Sequence, residues 1–264
     1  MKNMLAALWR YRFFILSSIG NELRLRFIRS KLGGLWMIIH PLAQVLIFAL
    51  ILSEVLAAKL PGIDNKYAYA LYLMAGTLGW TLFAEVLGKC LNLFIENGNL
   101  MKKMAFPRIC LPFIAGGSVL ITNVLLGVAI FGVFAVLGHI PDVHAFWLPI
   151  LMLVTLLVGL AIGMVLGILN VFMRDIGQVV PVVLQALFWL TPVVYNVNIL
   201  PPSVQHYFKL NPLYPLIISY QNILVFERSP DWGGLLNLVI AASLLMIFAL
   251  MLFRRASPEM VDVL

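Results

Sequence analysis

Residues 146–173 read FWLPILMLVTLLVGLAIGMVLGILNVFM, a run without Asp, Glu, Lys or Arg. A helix rises 1.5 Å per residue, so about 20 apolar residues cross the hydrocarbon core of a bilayer, and this run exceeds that length. A soluble protein could bury such a helix only beneath a polar coat. This chain has none to offer: of 264 residues, 62% are hydrophobic and 11% charged, whereas soluble domains carry about a quarter charged. Mean hydropathy is +1.02. Apolar side chains that face outward need an apolar solvent, and that solvent is lipid. The chain reads as an all-α integral membrane protein.

The same criterion yields further spans on either side. Residues 35–56 qualify, broken by His40 and Glu54, and residues 67–94 follow, carrying Glu85 and Lys89. Residues 111–137, 146–173, 176–195 and 233–253 are free of charge, which makes six spans. Residues 213–226 are uncharged but too short to cross, and Pro212 and Pro230 bracket them. They read as a re-entrant segment lining a cavity, with a helix lying in the headgroups as the alternative. The domain organisation is a single transmembrane domain over 1–264: a cytoplasmic amphipathic helix in 1–34, six spans in 35–253, and a cytoplasmic tail in 254–264.

Orientation follows from the cations, since short loops rich in Lys and Arg stay in the cytoplasm. Placing both termini inside gathers Lys2, Arg10, Arg12, Arg24, Arg26, Arg29, Lys31, Lys102, Lys103, Arg108, Arg174, Arg254 and Arg255 there. The opposite face keeps only Lys59, Lys66, Lys209 and Arg228. The net charge of +7 thus lies in islands between apolar runs rather than on one solvated face, which argues against a nucleic-acid partner and for anionic lipid. Cys90 and Cys110 form no CxxC pair and read as reduced, incidental thiols. The N-terminus lacks the uninterrupted apolar core of a signal peptide, so the first span is expected to direct insertion.

Near that terminus, Leu16, Ile19, Leu23 and Phe27 recur at helical spacing while Ser18, Asn21, Glu22 and Arg29 fall elsewhere. An amphipathic helix in the cytoplasmic interface fits, with Arg24, Arg26 and Arg29 reaching phosphates or water. A plain basic anchor fits the same residues.

Groups capable of chemistry are sparse. His40, His139, His144 and His206 are far apart, and no HxxxH or ExxH pair offers a metal site. Gly88-Lys89 imitates the end of a phosphate loop, but Phe83 and Cys90 stand where a glycine and a Ser or Thr belong. A membrane-bound acyl- or glycosyltransferase would need an acid/base cluster that is absent. Glu85 and Lys89, four residues apart on one helix face, are expected to pair with each other, with a proton relay as the alternative.

Three segments remain as site candidates. The stretch 96–112, ENGNLMKKMAFPRICLP, predicts a helix end at Asn97, Gly98 and Asn99, then a short cytoplasmic helix limited by Pro107 and Pro112. Lys102 and Lys103 cannot enter lipid. With Met101, Met104 and Phe106 as adaptable anchors they suit docking on a soluble partner, and a loop serving topology alone is the alternative. Arg174 and Asp175 form the polar turn between two spans, either as a salt bridge at a channel mouth or as a topogenic Arg with a helix-capping Asp. Aromatic residues crowd toward the outer half and mostly suit interface belts. Since aromatic faces also stack on sugars, Trp189, Tyr195, Tyr214 and Tyr220 are candidates for a glycan path.

Taken in order, RSKLGGLWMIIHP (29–41), KKMAFPRICLP (102–112), NVFMRDIGQVVPVVLQALFWLTPVVY (170–195), Asn211-Pro212 and FRRASPEMVDVL (253–264) resemble one family. The chain looks like the membrane subunit of ATP-binding-cassette (ABC) exporters for bacterial surface polysaccharides: O-antigen, capsule or teichoic acid. The resemblance implies a homodimer joined to two copies of a separate ABC ATPase, exporting a lipid-linked polysaccharide, O-antigen first, across the bacterial cytoplasmic membrane. It implies no cofactor on this chain, with ATP and Mg on the partner. Leu100, Met101, Lys102, Lys103, Met104, Phe106, Pro107 and Arg108 would meet the ATPase, and the N-terminal helix would rest on it. The re-entrant run would narrow the outer mouth, although Gln221 stands where the family pattern leads one to expect Arg. An ABC exporter of drug or lipid is the neighbouring alternative.

Overall fold

The structure, a computed structural model, describes residues 9–28, 35–50, 67–103, 107–197 and 201–263. Every regular element among them is helical: α1 (Arg12–Ile28), α2 (Trp36–Leu50), α3 (Ala68–Glu96), α4 (Gly98–Lys103), α5 (Cys110–Val136), α6 (Leu148–Phe172), α7 (Ile176–Leu190), α8 (Pro202–Lys209), α9 (Tyr214–Leu224) and α10 (Trp232–Val263). A short 3₁₀ turn, Val143–Trp147, leads into α6. Four helical stretches are long and apolar enough to cross a bilayer: Ala68–Glu96, Cys110–Val136, Val143–Phe172 and Trp232–Met260. The apolar helices α2 and α7 are shorter, and the last six residues of the expected first span, 51–56, lie outside the described residues.

The centre of the bundle is α3, with α2, α5, α6, α7 and α9 around it and α10 packed on α6. Lipid gives two helices no hydrophobic reason to associate, so close backbone approach has to supply the attraction. Gly159, Gly163 and Gly167 provide it along one face of α6. A Cβ at Gly167 would stand 2.3 Å from the Cys90 carbonyl oxygen, and one at Gly163 would stand 2.7 Å from Cys90 Cβ. On another face of α3, a Cβ at Gly79 would lie 2.7 Å from the ring of Tyr220, which brings α9 in just as tightly. Asn123 of α5 donates to the Leu78 carbonyl of α3 at 3.0 Å, a polar tie between two apolar helices.

Two elements end differently from their sequence expectation. The run 176–195 is helical only to Leu190, because Thr191 precedes Pro192 and turns extended, with φ −110° and ψ 136°. Exposed carbonyls are costly at membrane depth, and side chains of α3 and α9 satisfy those of this stretch. Tyr69 donates to Val194, Tyr72 to Pro192 at 3.2 Å and Tyr195 at 3.0 Å, and Gln221 to Pro192 at 2.8 Å. At the other chain end, residues expected as a tail continue α10 as a helix to Val263.

Glycine's role on α6 is testable by size. Gly167→Val should destabilise the protein by about 3 kcal/mol or more through overpacking. Gly132→Ala, where a Cβ meets nothing within 4 Å, should leave it unchanged or gain about 1 kcal/mol of helix propensity. Melting of the detergent-solubilised protein compares the two.

Candidate functional site at the basic end of the bundle

Helix direction divides the bundle into two ends. The last turn of α3, all of α4, the first turn of α5, the α6–α7 turn and the extension of α10 lie together at one end, with Lys102, Arg108, Arg174, Arg254 and Arg255. The opposite end carries Tyr69 and Tyr72.

At the basic end α3 stops where the sequence predicts. Asn97 caps it, its side-chain amide donating to the Leu93 carbonyl at 2.8 Å. The chain then turns into α4. Met101 is 2% exposed and shares a buried cluster with Phe94, Phe253, Ala256 and Met260. Phe94 and Phe253 stack with ring centroids 5.5 Å apart. Arg108 donates to the carbonyl and hydroxyl oxygens of Ser257 at 2.8 and 3.1 Å. The C-terminal turns of α10 therefore brace α4 from behind, and Met101 is the bolt. Lys102 is exposed, Leu100 and Pro107 are half-buried, the side chain of Lys103 is not described, and Met104 and Phe106 lie outside the described residues.

The α6–α7 turn is held by a residue the sequence reading quoted without assigning it a task. Asn170, buried, donates to the Leu91 carbonyl at 2.9 Å and accepts from the Gly177 amide at 2.9 Å. A Cβ at Gly177 would meet the same Asn170 oxygen at 2.9 Å. This clamp presents Arg174 and Asp175 on the outside. Both are exposed, and Asp175 occupies the cap position of α7 without a side-chain cap bond.

Helix α1 lies against α5, with Ile19 so close that a Cβ at Gly117 would be 2.5 Å from its Cδ1. Ile19, one of the residues at helical spacing, is buried there. Leu16 is 63% exposed, together with Trp9, Phe13 and Leu25, whereas Glu22 turns inward. There Glu22 pairs with Lys89 of α3, whose ammonium also donates to Ser118 of α5. The expectation of a pair within α3 alone missed this interhelical partner, which no local spacing could show. On the outward face the Arg12 guanidinium sits over the rings of Trp9 and Phe13, 4.9 and 4.5 Å from their centroids.

The four aromatic candidates separate at the other end. Tyr220 is 0% exposed and bonds Thr155 through its hydroxyl at 3.0 Å, which makes it a packing residue of this subunit. Trp189 is exposed. Tyr195 donates to the Trp189 carbonyl at 2.5 Å and meets Phe208 edge-on, and Tyr214 is half-buried.

A bundle of apolar helices around a glycine-packed centre, with a braced basic helix at one end, defines a multi-pass membrane transport domain. Residues 15–225 match the ABC-2 type transporter family, and the chain belongs to it. It is similar to the O-antigen export system permease protein RfbA of Myxococcus xanthus, 27% identical over 268 residues and 99% of each chain. Two proteins of that name from Klebsiella pneumoniae are 26% and 27% identical over 96% of each chain. Membership implies a permease subunit that pairs with an ABC ATPase subunit.

The Glu22–Lys89 tie predicts a charge-reversal rescue. Lys89→Glu or Glu22→Lys alone should cost about 1–2 kcal/mol, between an exposed and a fully buried pair. The double reversal should recover most of it, read by melting of the purified complex.

Proposed function

We propose that this chain is the transmembrane subunit of an ABC exporter that carries lipid-linked O-antigen polysaccharide across the bacterial inner membrane. The supporting observation is near-full-length similarity to O-antigen export permeases, at 26–27% identity. The similarity spans 96–99% of both chains.

In this reading ATP and Mg bind the partner ATPase, since the chain has no phosphate loop. The stroke enters at α4. Lys102, exposed, faces outward, while Met101, with Leu100 packed against its cluster, and the Arg108–Ser257 bonds hold the helix to α10. A push on α4 thus moves a rigid unit rather than a loose loop. Lys103, Met104 and Phe106 complete the docking surface, and Arg174 and Asp175 flank the inner mouth. The basic end faces the cytoplasm with both termini, as the distribution of Lys and Arg requires.

Six spans are completed by α2 and by α7 with its extended exit. The segment α9 is re-entrant: it is short, it is buried at Leu216, Ile217, Ser219, Tyr220 and Gln221, and it packs on α3 and α6. A homodimer supplies what α7 lacks. Of its residues only Val180 is buried, while Gln178 and Gln185 are exposed among apolar neighbours. A second copy against α2 and α7 would cover that face and enclose the channel, with Trp189, Tyr195 and Tyr214 near its outer mouth.

The triple variant Lys102→Ala, Lys103→Ala, Phe106→Ala should lower surface O-antigen at least tenfold while ATP hydrolysis by the complex persists. Normal surface glycan with all three replaced would overturn the coupling assignment. Deleting the gene should abolish surface O-antigen altogether.

A further inference from the structure

Exposed positions on the membrane-length helices sort by chemistry. On α5 they are Ile121, Val124, Leu125, Val128, Gly132, Ala135 and Val136, and on α6 beyond its first turn they are Leu153, Leu169 and Phe172. On α10 they are apolar up to Phe253, apart from Asn237 near the tyrosine end. Lipid demands this pattern. Helix α3 breaks it. It is the most buried of the four, yet within Ala68–Glu96 its exposed residues are Glu85, Asn92 and Glu96.

Steps of seven and four residues turn a helix by nearly whole revolutions, so these three side chains share one face within about 40°. Gly88 borders that face, about 40° around the helix from Asn92, and a Cβ built there meets nothing within 4 Å. The glycines of α3 that touch neighbours, Gly76 and Gly79, are crowded below 3.0 Å. The face is therefore open as well as polar. It is flanked on one side by α7, through Trp80 and Phe188 with ring centroids 5.4 Å apart, and by the end of α6, whose Asn170 amide donates to the Asn92 side-chain oxygen at 3.4 Å. On the other side α1 holds Lys89 through Glu22. Eleven residues separate Glu85 from Glu96, about 16 Å of helix, which carries the stripe to the middle of a hydrocarbon core about 30 Å thick. Carboxylates at such depth face water-filled passages or other protein, not acyl chains.

We propose that Glu85, Gly88, Asn92 and Glu96 form one wall of the aqueous path taken by the exported chain, and that the stripe suits a polyhydroxylated polymer. Carboxylates and the amide carbonyl accept hydrogen bonds from hydroxyls, and Gly88 leaves room for a ring to pass. The inference rests on the export reading above and adds to it the residues and the chemistry of the passage.

The test uses the full permease–ATPase complex in proteoliposomes, with Cys90→Ala and Cys110→Ala as background. Single substitutions Glu85→Cys, Gly88→Cys and Asn92→Cys are compared with Val128→Cys on the lipid face, using a membrane-impermeant methanethiosulfonate reagent supplied on both sides. Thiols in water ionise and react, whereas thiols in apolar surroundings do not. The stripe cysteines should react at least about tenfold faster than Val128→Cys. Rates equal to Val128→Cys would overturn the proposal, as would a spontaneous Glu85→Cys disulfide between two copies without labelling, which marks the stripe as a subunit contact. Should the cysteine-free background fail to fold, Gly88→Trp in the native chain should obstruct the path and reduce surface O-antigen at least tenfold with the ATPase still bound. Unchanged glycan would overturn the proposal. A gene deletion that leaves surface O-antigen intact while the stripe still labels would refute the export reading and leave the wet stripe standing.

Discussion

The contact between α3 and α6 carries the rest of the architecture. In lipid, apolar side chains gain nothing by leaving acyl chains for one another, so helices hold together by close fit and by hydrogen bonds. Gly159, Gly163 and Gly167 bring two backbones to within carbonyl contact of Cys90. That proximity lets Asn170 reach the Leu91 carbonyl less than one turn further on, while its oxygen receives the Gly177 amide. One seam therefore sets both the core and the turn that displays Arg174 and Asp175.

Backbone polarity governs the tyrosine end in the same way. A segment that leaves helical geometry at Thr191-Pro192 exposes carbonyls which lipid cannot satisfy. Tyr69, Tyr72 and Gln221 bond them from two other helices. Gln221 thus has a structural task at the position where the family pattern suggests a cation, and the broken helix becomes a fixed part of the fold. At the basic end Arg108 and Ser257 do the comparable work, joining α4 to the last helix.

Four of the six expected spans stand as membrane-length helices, and these were legible because hydrocarbon imposes a length and a composition that any window can measure. The end of α3 at Asn97 and the short helix after it were equally legible, since Asn and Gly close helices by local geometry. The Gly-xxx-Gly-xxx-Gly spacing of α6, a signal of close packing, went unread in the sequence and became evident only from the contacts with Cys90. The partner of Lys89 was not legible: Glu85 is near in sequence, whereas Glu22 becomes near only after α1 docks on α5. Met101 read as a free anchor by composition, but its burial depends on where α10 ends.

Sequence alone determined what each segment is: its membrane-length runs, its basic islands, the absence of a phosphate loop, and its family. Those properties are local sums over side chains and survive without any knowledge of neighbours. Tertiary structure decided which polar group answers which, sending Glu22 inward, Tyr220 into the core and the Glu85–Glu96 stripe to an open face. Such assignments depend on distances between residues far apart in the chain, and no local pattern contains them.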